Sequence, residues 1–311
     1  MPARLLTPNT VLILLTLIAA GVSAEMETPE CEIPSWELIW SDEFDSPEIN
    51  PENWTHEIGG HGWGNRELQY YSDDPKNSFI EGGTLFIQAL KDDDSGKRYS
   101  SARLTTRDKF EFRYGRIEAR IRIPHGKGMW PAFWMLGADF PELGWPLAGE
   151  IDIMENIGSE PMQIHGTVHG PGYSKTDGVG TSYRLPGGRR YADDFHIFSL
   201  EWEAHEIRWY VNGVNYLRLS PEDIPGEWVF NRPFYLIMNV AVGGKWPGKP
   251  GRKTPFPQSM MVDYVRVYQK SLKPRQKPLS KAGDMTNGTT ATLTNTGDAA
   301  AICTQSRSPM R

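Results

Sequence analysis

The body of this chain, from Trp36 to about Tyr268, is a succession of short runs rich in β-branched and aromatic residues, separated by Gly, Pro, Asn and Asp. In residues 115–123 apolar and charged side chains alternate, which is typical of a strand with one buried and one solvated face. Asn212 and Gly213 stand between two such runs and predict a tight hairpin turn. No part of the body predicts a helix of three turns. We therefore predict an all-β fold, a jelly-roll sandwich of two antiparallel sheets.

The clearest strands are predicted from composition and alternation together. They cover residues 84–90, 114–123, 132–136, 150–156, 163–169, 196–203, 206–211, 235–242 and 260–269. Before them, residues 1–24 combine an early arginine, an apolar stretch and a small-residue end, which predicts a signal peptide. After them, residues 270–311 contain almost no large apolar residue, which is typical of a disordered tail. We therefore predict one folded domain over residues 25–269.

The predicted domain is acidic, because residues 25–269 hold 37 acidic and 25 basic side chains in a chain of net charge −6. An acidic body argues against a nucleic-acid-binding surface. No later segment reaches the roughly twenty apolar residues of a membrane-spanning helix, and the tail lacks a hydrophobic lipid-anchor signal. We expect a secreted, extracellular monomer with no nucleic-acid or membrane partner. Whether Cys31 and Cys303 pair is left open by the sequence.

Three carboxylates, those of Glu150, Asp152 and Glu155, fall within six residues of an otherwise apolar, β-branched run. Such a run predicts a buried strand, where an ionised carboxylate without a partner is strongly disfavoured. Acids are tolerated there when they shift one another's pKa or face a wet groove. Two carboxylates on one groove suit glycoside hydrolysis, in which one attacks or activates water and the other protonates the leaving oxygen. A buried acid network or a calcium site is the alternative.

Strand parity separates these acids unless the strand is irregular. On a regular strand Glu150 and Asp152 share one face and Glu155 points away. A β-bulge at Met154, or at Ile153 with it, adds one residue and returns Glu155 to the face of the other two. Asp152, between the two glutamates, can then hold a proton and separate their pKa values. The spacing therefore predicts a bulged strand that presents three acids in a row.

Several ordered blocks resemble glycoside hydrolase family 16, and within it the laminarinase-type endo-β-1,3-glucanases. These blocks are residues 40–44, 65–71, 101–104, 115–120, 130–136, 150–155 and 262–268. The resemblance covers roughly residues 36–269. It implies a β-jelly roll whose concave sheet forms an open substrate cleft, and hydrolysis with retention. It also implies that residues 25–269 are the catalytic domain.

The resemblance assigns a role to each acid. Glu150 matches the nucleophile, Asp152 its helper and Glu155 the acid/base, and no redox or organic cofactor is implied. The physical interpretation agrees, since a nucleophile must be ionised while an acid must hold a proton near neutral pH. Met154 carries a further implication, because laminarinase-like members have the bulged form whereas lichenase-like and xyloglucan-active members have a shorter segment. The resemblance therefore favours a β-1,3-linked glucan.

A set of sugar-binding residues is also implied by the resemblance. Flat indole faces stack on sugar rings, and the matching positions here are Trp130, Trp134, Trp145 and Trp246. Asn65 and Arg103 match positions that hydrogen-bond glucose hydroxyls. Trp130 and Trp134 have the same strand parity, and without the resemblance both could simply fill the core. Without it, Arg103 would be interpreted as an ordinary surface charge.

His165 and His169 stand four residues apart, a spacing that metal ligands can have. The zinc-protease motif needs a helix and a glutamate next to the first histidine, and this strand-like segment offers neither. His169 matches a family histidine near the acid/base, so the resemblance implies a supporting catalytic role. A histidine satisfied within the core is the alternative.

The resemblance also implies one structural calcium ion on the convex side of the sandwich. Its ligands would come from Glu43, the carbonyl of Gly83 and Asp263, which offer hard oxygen atoms of the kind that calcium takes. Taken alone, Glu43 and Asp263 would be ordinary surface acids. Calcium is thus expected to serve structure, with no cofactor for catalysis.

Two rival functions come from other classes. A β-glucan recognition protein uses the same fold only to bind, but relatives of that kind have usually lost catalytic carboxylates, and this chain keeps all three. A sister hydrolase would act on mixed-linkage glucan, agar or carrageenan. The acidic body weighs only weakly against sulfated polymers, because net charge says little about a local groove. The first prediction is a secreted, retaining endo-β-1,3-glucanase of carbohydrate metabolism, with β-glucan polysaccharide as its substrate.

Overall fold

The computed structural model describes residues 33–91 and 96–273. The predicted signal peptide, both cysteines and most of the predicted tail lie outside the described residues. Contacts join Pro34–Ser271 into one compact unit. The last strand continues to Lys273, so the predicted start of the tail at residue 270 falls inside that strand. Helices in the described part of the chain have only three or four residues, too few to cross a bilayer.

Strands make up most of the described residues. In chain order they are β1 (Ile33–Asp42), β2 (Thr55–His56), β3 (Gln69–Tyr71), β4 (Ser78–Glu81), β5 (Thr84–Ala89), β6 (Tyr99–Ser101), β7 (Arg103–Thr105), β8 (Gly115–Arg122), β9 (Met129–Gly137), β10 (Glu150–Glu155), β11 (Gln163–His169), β12 (Val179–Arg184), β13 (His196–Glu203), β14 (Glu206–Val211), β15 (Val214–Leu219), β16 (Phe234–Val242) and β17 (Gln258–Lys273). The helices are α1 (Phe140–Leu143) and the 3-10 turns Lys175–Asp177, Pro186–Gly188, Tyr191–Asp193 and Pro221–Asp223.

Two large antiparallel sheets form the sandwich. The outer sheet has the order β15-β14-β13-β8-β17-β5-β4, with β1 also paired to β17. The second sheet has the order β12-β11-β10-β9-β16-β7-β2, and we call it the site sheet because β10 carries the three acids. Strands β3 and β6 form a separate parallel pair. The predicted all-β sandwich of antiparallel sheets is confirmed.

The core lies between the two sheets and is built by alternating burial along the strands. In β8 every second residue is buried, as the alternation of residues 115–123 predicts. Trp202 and Trp209 from the outer sheet and Phe133 from the site sheet are fully buried. All nine residues of β16 are buried, so side chains on both faces of this strand are covered. The core thus holds β9, β10 and β16 in a fixed register beneath the acids.

Strand boundaries follow the sequence closely where the pattern is long enough. The observed limits of β11, β13 and β14 are those predicted. Asn212 and Gly213 form the predicted hairpin turn between β14 and β15, with φ of 50° and 80°. Strands β2, β3, β6 and β7 have only two or three residues, and the sequence analysis did not predict them. A period of two cannot be recognised in so short a run.

Candidate active site

Strand β10 contains the predicted β-bulge. In its pairing with β9, Asp152 lies opposite Trp134 and Met154 lies opposite Phe133, so Ile153 is the additional residue. The register with β11 shifts in the same place. The prediction that one extra residue interrupts this strand is therefore confirmed.

The bulge brings the three acids to one face of β10. The apolar side chains of the strand all pack in the core, and these are Ile151, Ile153 and Met154. Glu150 and Glu155 remain half-buried, whereas Asp152 is 3% exposed. On β11, His169 lies opposite Glu150 and His165 lies opposite Glu155. Two glutamates, one aspartate and two histidines thus occupy neighbouring positions on the site sheet.

Two features on the core side accommodate the bulge. A bulge disrupts the ladder of backbone hydrogen bonds, and the Trp209 indole donates a 2.8 Å hydrogen bond to the backbone oxygen of Asp152. Gly166 lies on β11 between the partners of Asp152 and Glu155. A Cβ at Gly166 would sit 2.4 Å from the Tyr216 hydroxyl, so this close approach requires glycine.

Each glutamate accepts a hydrogen bond from a tryptophan that the sequence analysis singled out. Trp145 Nε1 donates to Glu150 Oε2 at 3.0 Å, and Trp130 Nε1 donates to Glu155 Oε1 at 3.0 Å. A hydrogen bond to a carboxylate favours its ionised form and fixes its orientation. The two indoles therefore orient the carboxylates of Glu150 and Glu155.

His169 lies against the pair formed by Glu150 and Asp152. Its Nε2 atom is 3.4 Å from Asp152 Oδ2 and 3.7 Å from Glu150 Oε1. Asp152 Oδ2 is buried and makes no hydrogen bond with a described residue. One potential metal-ligand atom from each of Glu150, Asp152 and His169 lies within 4.8 Å of the other two, so the same three side chains could also hold a metal ion. The resemblance implied a position near the acid/base Glu155, but His169 lies opposite Glu150, and the histidine opposite Glu155 is His165.

Burial raises the pKa of all three carboxyl groups, in each case to about 8. The charge of Asp152 adds to this rise at Glu150 and Glu155, and the nearby His169 opposes it. Because the three groups interact, their protons belong to the cluster rather than to single residues. Such a cluster can keep one carboxyl group protonated near neutral pH while another is ionised, as acid and nucleophile chemistry requires.

The buried carboxyl group of Asp152 predicts a pH-dependent stability. Its pKa rises from 3.8 to about 8 on folding, so between these values the folded chain binds more protons than the unfolded chain. The free energy of unfolding therefore falls as pH rises from about 4 to about 8. Asp152→Asn removes this contribution, and we expect it to stabilise the protein by about 2 kcal/mol at pH 9 and little at pH 4. Urea unfolding at both pH values measures the difference.

The matched control for this prediction is Asp45→Asn, because Asp45 is an exposed acid outside the site. It should leave the two unfolding curves unchanged. Equal stabilisation of Asp152→Asn at pH 4 and pH 9 would contradict a protonated, buried Asp152. Asp152→Asn should also hydrolyse the substrate more slowly, because it lacks the carboxylate that the resemblance assigns as the helper of Glu150.

The remaining tryptophans line the same face of the site sheet. Trp134 is half-buried and its Nε1 donates to Asn239 Oδ1 at 2.8 Å. Trp246 is 41% exposed, and its ring centroid lies 5.5 Å from that of Trp130, edge to face. Neither Trp130 nor Trp134 belongs to the buried core between the sheets. All four predicted tryptophans therefore lie around the three acids.

Neighbouring aromatic and acidic side chains hold Arg103 in place, so it is not a free surface charge. Its guanidinium carbon lies 4.6 Å from the Trp63 ring centroid and 4.8 Å from that of Trp134. Glu57 forms an ion pair with Arg103 Nε. The cation between two rings and the paired carboxylate fix the guanidinium, so its other N–H groups have defined directions. Trp63 and Glu57 were not predicted as site residues, because no sequence pattern links them to Arg103.

Asn65 is held by a buried hydrogen-bond network centred on Glu67. Asn65 Nδ2 donates to Glu67 Oε1 at 3.1 Å, and Gln69 and Tyr71 donate to Oε2 at 2.6 Å and 3.3 Å. Asn239 donates to the Tyr71 hydroxyl at 3.1 Å, which connects the network to the site sheet. Glu67, Tyr71 and Asn239 were not predicted as site residues. Strand alternation could have related only Gln69 and Tyr71, because Asn65 and Glu67 lie before β3 begins.

The implied calcium ligands lie in the outer-sheet part of the molecule. Glu43 accepts hydrogen bonds from Arg266 at 2.9 Å and 2.7 Å, and Asp263 accepts one from Arg120 at 2.7 Å. Gly83 is in the β4–β5 turn. Both carboxylates are thus directed at arginines. The calcium site stays a prediction from the resemblance.

Comparison with known proteins agrees with this geometry. The model of Glycosyl hydrolases family 16 matches residues 63–266. A β-glucanase from Rhodothermus marinus is 47% identical over 249 residues, which cover 76% of this chain and 86% of that protein. A glucan endo-1,3-β-glucosidase A1 from Niallia circulans is 36% identical over 76% of this chain, which spans 38% of that protein.

Among solved structures, the laminarinase catalytic domain from Thermotoga maritima MSB8 has a TM-score of 0.72 and 52% sequence identity to this chain. The alignment covers 75% of this chain and 98% of the other. The sandwich is therefore a family 16 jelly roll, as the resemblance implied. With the family model matching more than half of its length, including β10 and its acids, the chain belongs to glycoside hydrolase family 16.

Proposed function

We propose that this chain is an endo-acting β-1,3-glucanase that hydrolyses laminarin-type glucans with retention. The observation that carries the proposal is the presence of three acids on one face of β10, with Glu150 and Glu155 each bonded to an indole. The similar proteins from Rhodothermus marinus and Thermotoga maritima are named a β-glucanase and a laminarinase, which supports the same substrate class. A β-glucan recognition protein would not need the complete set of acids.

The mechanism has two steps. In the first, the Glu150 carboxylate attacks the anomeric carbon while Glu155 gives its proton to the departing glycosidic oxygen, which leaves a glycosyl ester on Glu150. In the second, Glu155 takes a proton from water, and the water oxygen displaces Glu150 with a second inversion. His169 lies 3.7 Å from Glu150 and 3.4 Å from Asp152, and the charge of Asp152 raises the pKa of Glu150, so both residues can adjust the proton and charge of Glu150 between the steps. This chemistry requires no cofactor.

Substrate binding is proposed for the aromatic and polar side chains around the acids. Trp134 and Trp246 offer ring faces to glucose units, and Arg103 and Asn65 offer fixed N–H groups to hydroxyls. Arg103 is held between two indoles, and Asn65 is held by Glu67. Donors fixed in advance lose little conformational entropy when a sugar binds, which favours affinity.

The linkage specificity leads to a direct expectation. Laminarin should be cleaved at least about tenfold faster than lichenan, and agarose and carrageenan should release no oligosaccharides. The reason is the bulged strand, which the resemblance associates with β-1,3-linked glucans. The four polymers are incubated with the protein, and the products are identified by linkage and by the anomeric configuration of the first-formed reducing end.

The Glu150→Gln protein is the control for contaminating hydrolases in this experiment. Internal cleavage should give a mixture of oligosaccharides early in the reaction, with the β-anomer first. Exclusive release of one small sugar would contradict endo action, and an α-anomer would contradict retention. Faster cleavage of agarose or carrageenan than of laminarin would instead support the sister hydrolases.

Export is part of this proposal because residues 1–24 have the composition of a signal peptide. A polymeric substrate outside the cell requires an exported enzyme. An N-terminus near residue 25 in protein recovered from the culture medium would support the proposal, and an uncleaved N-terminus retained with the cells would oppose it.

A further inference from the structure

Two loops of this acidic protein carry only basic charges. Residues 124–128 and 243–257 contain no Asp or Glu, and their basic side chains are Lys127, Lys245, Lys249, Arg252 and Lys253. All five side chains are exposed. We call the two loops together the basic wall. Their charge is opposite to that of the body, in which acids outnumber bases by 37 to 25.

The basic wall stands at the end of the site sheet that carries Glu155. The first loop leads into β9 and the second follows β16, and the two strands are paired there through Met129 and Val242. Trp246, in the second loop, contacts Trp130, and Trp130 donates its indole hydrogen bond to Glu155. The wall is therefore continuous with the cleft through two tryptophans.

Backbone contacts hold the two loops together. The Thr254 hydroxyl donates to the Lys127 carbonyl at 2.8 Å and accepts from the Gly251 N–H at 2.9 Å. Gly128 has φ of 88°, and a Cβ there would lie 2.5 Å from the Pro250 nitrogen. Between the loops is an open depression of about 310 Å³, lined by residues 126–127 and 251–254. The five basic side chains are thus carried by two loops that pack against each other.

None of these five charges is paired with an acid in the part of the chain that the structure describes. Among the described residues, no ion pair or side-chain hydrogen bond joins any of them to an Asp or Glu. On the outer sheet, by contrast, Arg116 and Arg208 each contact at least two glutamates. Glu160, in the loop after β10, is engaged by Gln163 and His165 at 3.0 Å and 3.2 Å. Among the described residues, no acid therefore neutralises the positive potential of the wall.

We propose that the basic wall binds anionic substituents, such as carboxylate, sulfate or phosphate groups, on the β-glucan chain that occupies the cleft. An acidic body repels an anionic polymer. The cationic surface of the wall offsets that repulsion where it lies within a Debye length of the bound glucan. Flexible lysines suit substituents whose position along the polymer varies. The inference rests on the proposed function, because a glucan in the cleft brings its substituents to the wall.

The test compares a carboxymethylated β-1,3-glucan with neutral laminarin and with a hydroxyethylated β-1,3-glucan, which carries neutral substituents. In Arg252→Glu/Lys253→Glu, KM for the carboxymethylated polymer should rise about tenfold at low ionic strength, while KM for both neutral polymers changes less than about twofold. High salt should raise KM of the unaltered protein for the carboxymethylated polymer and largely remove the difference between the two proteins.

The control is Arg113→Glu/Arg189→Glu, which changes the net charge equally at two exposed positions outside the basic wall. The inference is overturned when both double variants raise KM equally, because net charge alone then explains the effect. It is also overturned by an unchanged KM in Arg252→Glu/Lys253→Glu. If neutral laminarin is not hydrolysed at all, the proposed function fails. Affinity electrophoresis in gels containing each polymer then tests the wall independently of turnover.

Discussion

Replacing Glu150 with glutamine is expected to lower kcat for laminarin by about 10⁴-fold or more. The amide has nearly the shape of the carboxylate but cannot attack the anomeric carbon. Trp145 can still donate its hydrogen bond to the amide oxygen, so the cleft should keep its geometry. Burial raises the pKa of Glu150, which means that a neutral side chain is easier to bury at this position. Reducing-end release and thermal unfolding, measured together, separate lost chemistry from lost folding.

The expected pattern is an inactive protein that still binds oligosaccharides and unfolds at the same or a higher temperature. Glu142→Gln serves as the matched control, because Glu142 is an exposed glutamate in α1, and its turnover should be unchanged. Normal hydrolysis by Glu150→Gln would remove this residue as the nucleophile. An early unfolding transition would instead show that the carboxylate holds the strand together.

The fold was predictable where residues alternate over a long run. Residues 115–123 alternate because β8 packs one face on the core and exposes the other, and the structure has that strand. β16 does not alternate in burial, but its apolar run still predicted a strand. The parallel pair β3 and β6 was not predictable, since each has three residues and its partner is distant in the chain.

In the site, too, features set by one strand were predictable, whereas features set by residues distant in the chain were not. The bulge in β10 follows from the energetics of the strand, because only an additional residue gives the apolar side chains to the core and all three acids to the cleft. The setting of Arg103 depends on Glu57, 46 residues earlier, and on Trp134. No period relates residues so far apart, so the sequence left Arg103 as a surface charge. Only the resemblance suggested its place in the cleft.

Replacing Glu155 with glutamine is expected to lower kcat for laminarin by about 10³-fold, because a sugar alkoxide leaves poorly without a proton. An aryl β-laminaribioside with a dinitrophenyl leaving group does not need that proton. The variant should therefore still release one equivalent of the phenol rapidly as Glu150 is glycosylated, and then slow down because no base activates water. Stopped-flow absorbance measures the burst.

Comparing the pH dependence of the unaltered protein with that of the variant provides a second test of the role of Glu155. Burial raises the pKa of Glu155 to about 8, so the acid form persists through neutral pH and is lost as pH rises through about 8. Hydrolysis of laminarin by the unaltered protein should therefore decline in that range. Release of dinitrophenol by Glu155→Gln should show no such decline, because glutamine has no proton to lose. A decline that persists in the variant would assign the titrating group elsewhere in the cluster.

Azide separates the two glutamates by stereochemistry. In Glu155→Ala, azide should attack the glycosyl ester on Glu150 and give a β-glycosyl azide after two inversions. In Glu150→Ala, azide should replace the missing nucleophile on the activated substrate and give an α-glycosyl azide after one inversion. The three acids lie on one face of one strand, so their positions alone do not distinguish attack from protonation. The β-azide from Glu155→Ala together with the α-azide from Glu150→Ala would fix the roles as proposed, whereas the α-azide from Glu155→Ala and the β-azide from Glu150→Ala would show that the roles are exchanged.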